Sequence, residues 1–289
     1  MTTVVRRQAN SRKSYWNPST VATVAGMTVF SLMMAFPFVW MFSTSLKVPA
    51  TAFKLPPELW PYEWRFENYR QVLQHPTVPV PKFFLNSFKI ATLVTLGQLV
   101  TCTTAAYAFA RLRFPGSSFL FMLFLTSIMV PGQVTIIPMF ILMRKLGLMN
   151  THGALIVPGL TSVFGVFMLR QFFMTLPNEL EDAARIDGAG TFRILWQVMI
   201  PLVGPGLATL AVITFNGSWN AFFGPLIFLN DWTKFTWPLG MAMLRGQYGE
   251  GSMSVQMAGI SLGVIPTAIL FALGQRFIIE SITFSGIKG

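Results

Sequence analysis

Six stretches of the chain, roughly 21–46, 90–110, 114–143, 146–169, 194–230 and 251–275, contain no Asp, Glu, Lys or Arg at all. Each supplies the run of about 20 largely apolar residues that an α-helix needs to cross the hydrocarbon core of a bilayer. Lipid cannot hydrogen-bond the backbone, so runs of this kind fold as membrane-spanning helices. Only 11% of the residues are charged and the mean hydropathy is +0.57, whereas a soluble domain is about a quarter charged. The expectation is an all-α membrane protein with six transmembrane helices. The third and fifth runs exceed one crossing. Pro131 and Pro138 in the third, and Pro201, Pro205 and Pro225 in the fifth, predict kinks or re-entrant ends.

The net charge is +11, from 21 Lys and Arg against 10 Asp and Glu. A soluble protein so basic would raise nucleic acid as a partner. Here the cations flank apolar runs, where they hold helix ends against anionic headgroups, so membrane lipid is expected as a partner and nucleic acid is not. Arg6, Arg7, Arg12 and Lys13 precede a run too long for a signal-peptide core, which reads as the first membrane helix. Cations divide almost evenly between the two sides of the membrane. The N-terminal tail, with four cations and no acid, places the N-terminus inside. Cys102 is the only cysteine, so no intrachain disulfide or CxxC site can form, and it reads as a small buried hydrophobe. His75 and His152 stand apart and predict no metal site.

The longest polar stretch, Lys47 to Lys82, holds seven prolines together with Trp60, Trp64 and Tyr69. That mixture predicts loops and short helices at headgroup level. The expected layout is a cytosolic tail at 1–20, a transmembrane domain at 21–280 with an outer loop at about 47–85, and a second cytosolic tail at 281–289.

No ionisable side chain sits at mid-depth in the runs. Proton- or sodium-driven transporters commonly place one there to bind the coupling ion. Intramembrane proteases need Asp pairs, Ser/His pairs or a HExxH zinc site, and an ATPase needs a glycine-rich Lys-Ser/Thr loop. None occurs, so no catalytic residue, metal or cofactor is expected in this chain. It reads as a pathway whose energy comes from a partner; a stand-alone channel or secondary transporter for a small polar solute is the alternative.

The second polar stretch carries the most information. Asn178 can N-cap a helix, with Glu181 closing a capping box. Glu179, Glu181 and Asp182 fall in the first turn, where the helix dipole favours anions, and Glu181 and Asp182 reach Arg185 at i+4 and i+3. Leu180, Ala183 and Ala184 form a small apolar patch, and Gly188 ends the helix. A short amphipathic helix at the interface and a docking knob for a partner both fit. The run Glu179-Leu-Glu-Asp-Ala-Ala-Arg-Ile-Asp-Gly-Ala, followed by Ile200-Pro-Leu202, resembles the EAA signature of ABC importer permeases, most closely the MalG-like subunits of the maltose-transporter class of carbohydrate importers. Asp182-Ala-Ala184, Gly188 and Pro201 fill the signature's places, with Asp182 where Glu is usual. Phe66-Glu-Asn-Tyr69, Leu85-Asn-Ser87, Ala106-Tyr-Ala-Phe-Ala-Arg111 and Gly286-Ile-Lys-Gly289 resemble the same family.

The resemblance implies the type I ABC importer architecture, with a cytosolic coupling helix at about 178–190. Its ATPase-coupling residues would be Glu179, Leu180, Glu181, Asp182, Ala183, Ala184, Arg185, Asp187 and Gly188. It implies as partners a second homologous permease, an ATPase dimer holding ATP and Mg, and an extracellular or periplasmic binding protein. The setting would be a bacterial or archaeal inner membrane. A sugar path needs hydroxyl-bonding groups and aromatic faces without fixed charge. Asn216, Trp219 and Asn220 in the fifth run and Gln133 in the third are the candidates, and packing within a broken helix or against the partner permease explains the same residues.

Overall fold

The computed structural model describes residues 18–49, 52, 58–76, 78–248 and 253–286. The N-terminal tail to residue 17, Pro56 and Pro57 of the expected outer loop, and residues 287–289 lie outside them. Thirteen helical elements carry the described chain: α1 Pro18–Ser45, α2 Glu67–Leu73, α3 Val80–Arg111, α4 Ser117–Thr126, α5 Ile136–Lys145, α6 Gly153–Gly159, α7 Val163–Thr175, α8 Glu179–Ile186, α9 Thr191–Leu202, α10 Gly204–Trp219, α11 Phe223–Phe228, α12 Trp237–Tyr248 and α13 Met253–Gly286. No strand occurs among the described residues.

Four of the expected spans are long and apolar enough to cross a bilayer: α1, α3, α6 with α7, and α13. The fifth exists only as the pair α9 and α10, bent by 80° at Val203 between Pro201 and Pro205. The third is broken: α4 continues as a 3-10 turn to Met129, stops before Pro131, and resumes as α5 at Ile136. Six full-length helices are therefore not formed. Proline lacks the N–H that the ladder needs, and these are the positions where the sequence predicted kinks. α3 begins at Val80, well before its charge-free run, because Lys82 and Lys89 lie on its exposed side while Phe83, Ser87 and Ile90 are buried. The expected outer loop, about 47–85, accordingly ends before Val80.

α3 is the centre of the bundle, with α7 and α10 packed on it and α13 packed on α10, α1 and α2. Gly165 of α7 makes the α3 contact possible: a β-carbon there would meet Cys102 Sγ and Leu210 Cδ1 at 3.0 Å. Cys102 is fully buried there, as the sequence predicted. Between α6 and α7 the helix opens at Leu160–Ser162, and the freed carbonyls are caught by α3. Gln98 Nε2 donates to Gly159 O at 2.9 Å, Thr101 Oγ1 to Leu160 O, and Cys102 Sγ to Ser162 O at 3.5 Å. Thr214 Oγ1 of α10 donates to Gln98 Oε1 at 2.9 Å. Unwound backbone is tolerated at membrane depth only where such partners exist. α1, by contrast, is exposed along nearly its whole length, as a helix facing lipid or another chain must be.

The two ends of the bundle differ. At the α2 end, Asn68 Nδ2 donates to the carbonyls of Ser45 and Lys47 at 2.8 and 2.9 Å and so closes the last turn of α1. Ser45 Oγ lies 2.7 Å from Tyr69 Oη, and Lys47, over the Trp40 ring, donates to Glu58 O. Burial pulls the Lys47 amine below its ordinary pKa. Asn86 Nδ2 donates to the carbonyls of Thr233 and Phe235, and Ser87 Oγ accepts from Trp237 N–H at 2.7 Å. The Asn and Ser of two family-like motifs thus act as backbone clamps.

Candidate functional site: a short helix locked by buried charge

The opposite end is organised around α8. Asn178 does not cap it: its backbone is helical, its carbonyl accepts from Glu181 and Asp182 N–H at 3.0 and 3.1 Å, and its side-chain Oδ1 accepts from Arg111 Nη1. The predicted capping box is absent because Arg111, at the end of α3, competes for both members. Its Nη2 donates to the carbonyls of Phe173 and Leu176 at the end of α7, and its Nε lies 3.4 Å from Glu181 Oε1. Glu181 Oε2 then takes Arg185 Nη2 at 3.0 Å, while Arg185 Nη1 reaches Asp182 Oδ1 at 3.1 Å. The Arg111 and Glu181 side chains keep only 6% and 4% of their exposure, whereas Asp182 keeps 64%. One guanidinium therefore ties together α3, the end of α7 and the start of α8. The Nε–Oε1 contact is an ion pair without a hydrogen bond, so the two buried charges depend on it together with the bonds of Arg111 Nη1 and Nη2 and of Glu181 Oε2, and a shift of either group would leave charge uncompensated.

The far end of α8 closes as a Schellman motif. Gly188 takes φ +79°, its N–H reaches Arg185 O at 3.0 Å, and Ala189 N–H reaches Ala184 O at 2.9 Å. Ala184 and Ala189 both pack against the core cluster of Tyr107, Leu169 and Phe173. The apolar patch expected from sequence is thus divided: Ala184 faces the bundle, while Leu180 and Ala183 are exposed. Glu181 likewise points inward, and Glu179, Asp182, Arg185, Asp187 and Gly188 face outward.

Three exposed residues escaped the sequence reading. Ile186 is 87% exposed, and Phe192 and Trp196, ring centroids 5.9 Å apart, flank the start of α9. The signal for Ile186 and Phe192 was bulky apolar residues inside a charged segment, whereas Trp196, in the charge-free run 194–230, gave none. Trp196 lies in a π-helical turn, Ile194–Met199, a local widening often found at functional positions.

Residues 102–282 match the family described as binding-protein-dependent transport system inner membrane component. The chain belongs to that family. This permease is 39% identical over 207 residues to the arabinooligosaccharides transport system permease protein AraQ of Halalkalibacterium halodurans, covering 72% of this chain and 74% of that one. It is 32% identical over 272 residues to the trehalose/maltose transport system permease protein MalG of Thermococcus litoralis, covering 93% and 97%. A bacterial ABC transporter that imports the acidic polysaccharide alginate shares its fold, with a TM-score of 0.79 over 90% of this permease and 96% of that chain at 23% identity. The permease is a multi-pass membrane protein and a subunit of an ABC importer.

The four predicted pathway residues do not form one group. Trp219 is 1% exposed, donates its indole N–H to Gly263 O at 3.0 Å and packs edge-on against Phe84, so it is chiefly a core residue of the permease. Asn216 and Asn220 are exposed and bonded to each other, with Asn220 Nδ2 3.0 Å from Asn216 Oδ1. Gln133 is exposed in the break between α4 and α5 and is not among the residues lining the cavity that Trp219 and Asn220 share.

Proposed function

We propose that this permease forms, with a second homologous permease, the path for a sugar or oligosaccharide delivered by an external binding protein. ATP and Mg act on a separate ATPase pair. The N-terminus and α8 lie in the cytosol of a bacterial or archaeal cell, and the α2 end faces outward. α8 is the element the ATPase pair grips, with Asp182, Ala183, Arg185 and Asp187 on its outer face and Ile186, Phe192 and Trp196 beside it.

The observation that carries this reading is the Arg111–Glu181 lock. A surface helix needs no buried ion pair to lie on a membrane, but a helix that transmits force to the spans must not rotate against them. Arg111 joins α8 directly to α3, the central helix. Sugar as cargo is supported by the relatives named for arabinooligosaccharides and for trehalose and maltose.

The test is purification of the tagged chain with its co-expressed neighbours. A second permease and an ATPase should co-purify, and liposomes holding the complex should accumulate labelled oligosaccharide only with ATP and binding protein. Transport by the chain alone would contradict the proposal.

A further inference from the structure

A second region gathers polar groups that the α8 site does not use. Where α10 ends against α12 and α13, a cavity of about 670 Å³ opens, within the range of about 300–1,000 Å³ common for small-molecule sites. Trp219, Trp237, Met241 and Met257 supply much of its wall, and among the described residues no Asp, Glu, Lys or Arg lines it. Asn220, Gln256 and Thr267 bring polar side chains to the same space. Val72 of α2 also contributes, so the cavity sits at the end proposed to face outward.

The hydrogen-bond state of these groups is informative. Asn220 spends its amide N–H on Asn216, which leaves its own Oδ1 free to accept. Thr267 Oγ1 donates to Val264 O at 2.8 Å and keeps its lone pairs. The Gln256 amide and the Trp237 indole N–H bond to no described residue. Donors and acceptors therefore share one apolar-walled chamber. Such groups favour a ligand that offers both functions, and hydroxyl groups do. The aromatic and Met walls suit the C–H faces of a ring. The described lining offers no cation to a phosphate or carboxylate, so it compensates the lost hydration of a neutral hydroxyl better than that of an anion.

We infer that this cavity is a binding site, within this chain, for a neutral sugar, held by Gln256, Asn220 and the Trp237 indole. The inference rests on the sugar-importer reading and adds that this subunit itself contacts the cargo. Coming from the outer side, the solute meets this chamber before the mid-bundle polar tie at Gln98.

The experiment uses the assembled transporter in nanodiscs, without binding protein, and radiolabelled maltotriose, arabinotriose and glycerol 3-phosphate as probes. At least one trisaccharide should bind saturably and the phosphate ester should not. Gln256→Met, which keeps the unbranched length and removes the amide, should weaken binding at least tenfold. Ala242→Trp, which fills the cavity from an exposed position, should abolish it. Both variants should assemble with the ATPase and keep its basal hydrolysis. No saturable binding, or binding unchanged in both variants, would overturn the site. Uptake driven by binding protein, measured in parallel, separates the two failures. Neutral sugar transport that both variants leave intact sinks the site but not the importer reading, whereas transport of glycerol 3-phosphate alone, or of none of the three, sinks both.

Discussion

At the α8 end the bundle is fastened by charge: Arg111, Glu181, Arg185 and Asp182 form one chain of contacts whose first pair, Arg111–Glu181, is almost wholly buried. At the α2 end the fastening is neutral. Asn68, Asn86 and Ser87 reach backbone groups, and the cavity beside them has no ionisable side chain among its described lining residues. The ionic end is strict, because a buried charge loses much if its partner shifts by an ångström or two. The neutral end tolerates rearrangement at smaller cost and leaves a chamber compatible with an uncharged solute. One end suits transmission of force and the other suits reception of cargo.

The largest effect is expected from Arg111→Ala. Removing one partner of a buried pair costs about 3–5 kcal/mol, and the retained Arg185 contact places this case toward the lower figure. Uptake should fall at least tenfold and proteases should gain access to 176–190, as limited proteolysis of membranes will show. Pairing it with Glu181→Leu should restore part of the protection, because the stranded carboxylate is gone.

Next comes a contrast within α8 itself. Ala184→Trp must overpack the core at about 1–3 kcal/mol and should lower thermal stability. Ala183→Trp, at an exposed position, should leave stability unchanged yet release the ATPase in co-purification. Gly188→Val meets no neighbouring atom, so its penalty is torsional, about 1–2 kcal/mol or more for a β-branched residue at φ +79°. Asp182→Glu should be nearly silent in uptake assays.

At the neutral end, Asn68→Ala should cost about 1–3 kcal/mol through two unbonded carbonyls. Its signature should be cleavage in the 47–66 region with ATPase association intact.

The smallest effect is a pH dependence. Burial holds the His152 imidazole below its ordinary pKa, with its Nε2 3.0 Å from Lys234 O. A depressed pKa adds stability while the ring is neutral, above about pH 6.5, and loses it as pH falls through the lower folded value. Melting temperature should therefore decline below pH 6.5, and His152→Gln should flatten that decline.

How much of this was legible in sequence depends on the separation of the interacting groups. The apolar runs, the prolines that break them, the extent of α8 and the left-handed Gly188 are local signals, and each was readable. The Arg111–Glu181 pair was not, since 69 intervening residues separate them and the local rule for Glu181 predicted a capping box. Tertiary pairing overrode that local preference. Trp219 was legible only in part: its neighbourhood with Asn220 was local, but the Gly263 carbonyl that takes its indole N–H lies 44 positions away. The inward turn of Ala184 was hidden because a small residue suits a core contact and a docking face equally well.

The central claim is that α8 moves with α3 as one body because Arg111 and Glu181 hold them. Pulsed electron paramagnetic resonance between spin labels at Val100 and Leu180, both exposed, measures this in nanodiscs through the ATP cycle. The account predicts one narrow distance distribution that keeps its position with and without nucleotide, and a broad one in Arg111→Ala. A distribution that shifts with nucleotide in the native chain, or that stays narrow when Arg111 is removed, would contradict it.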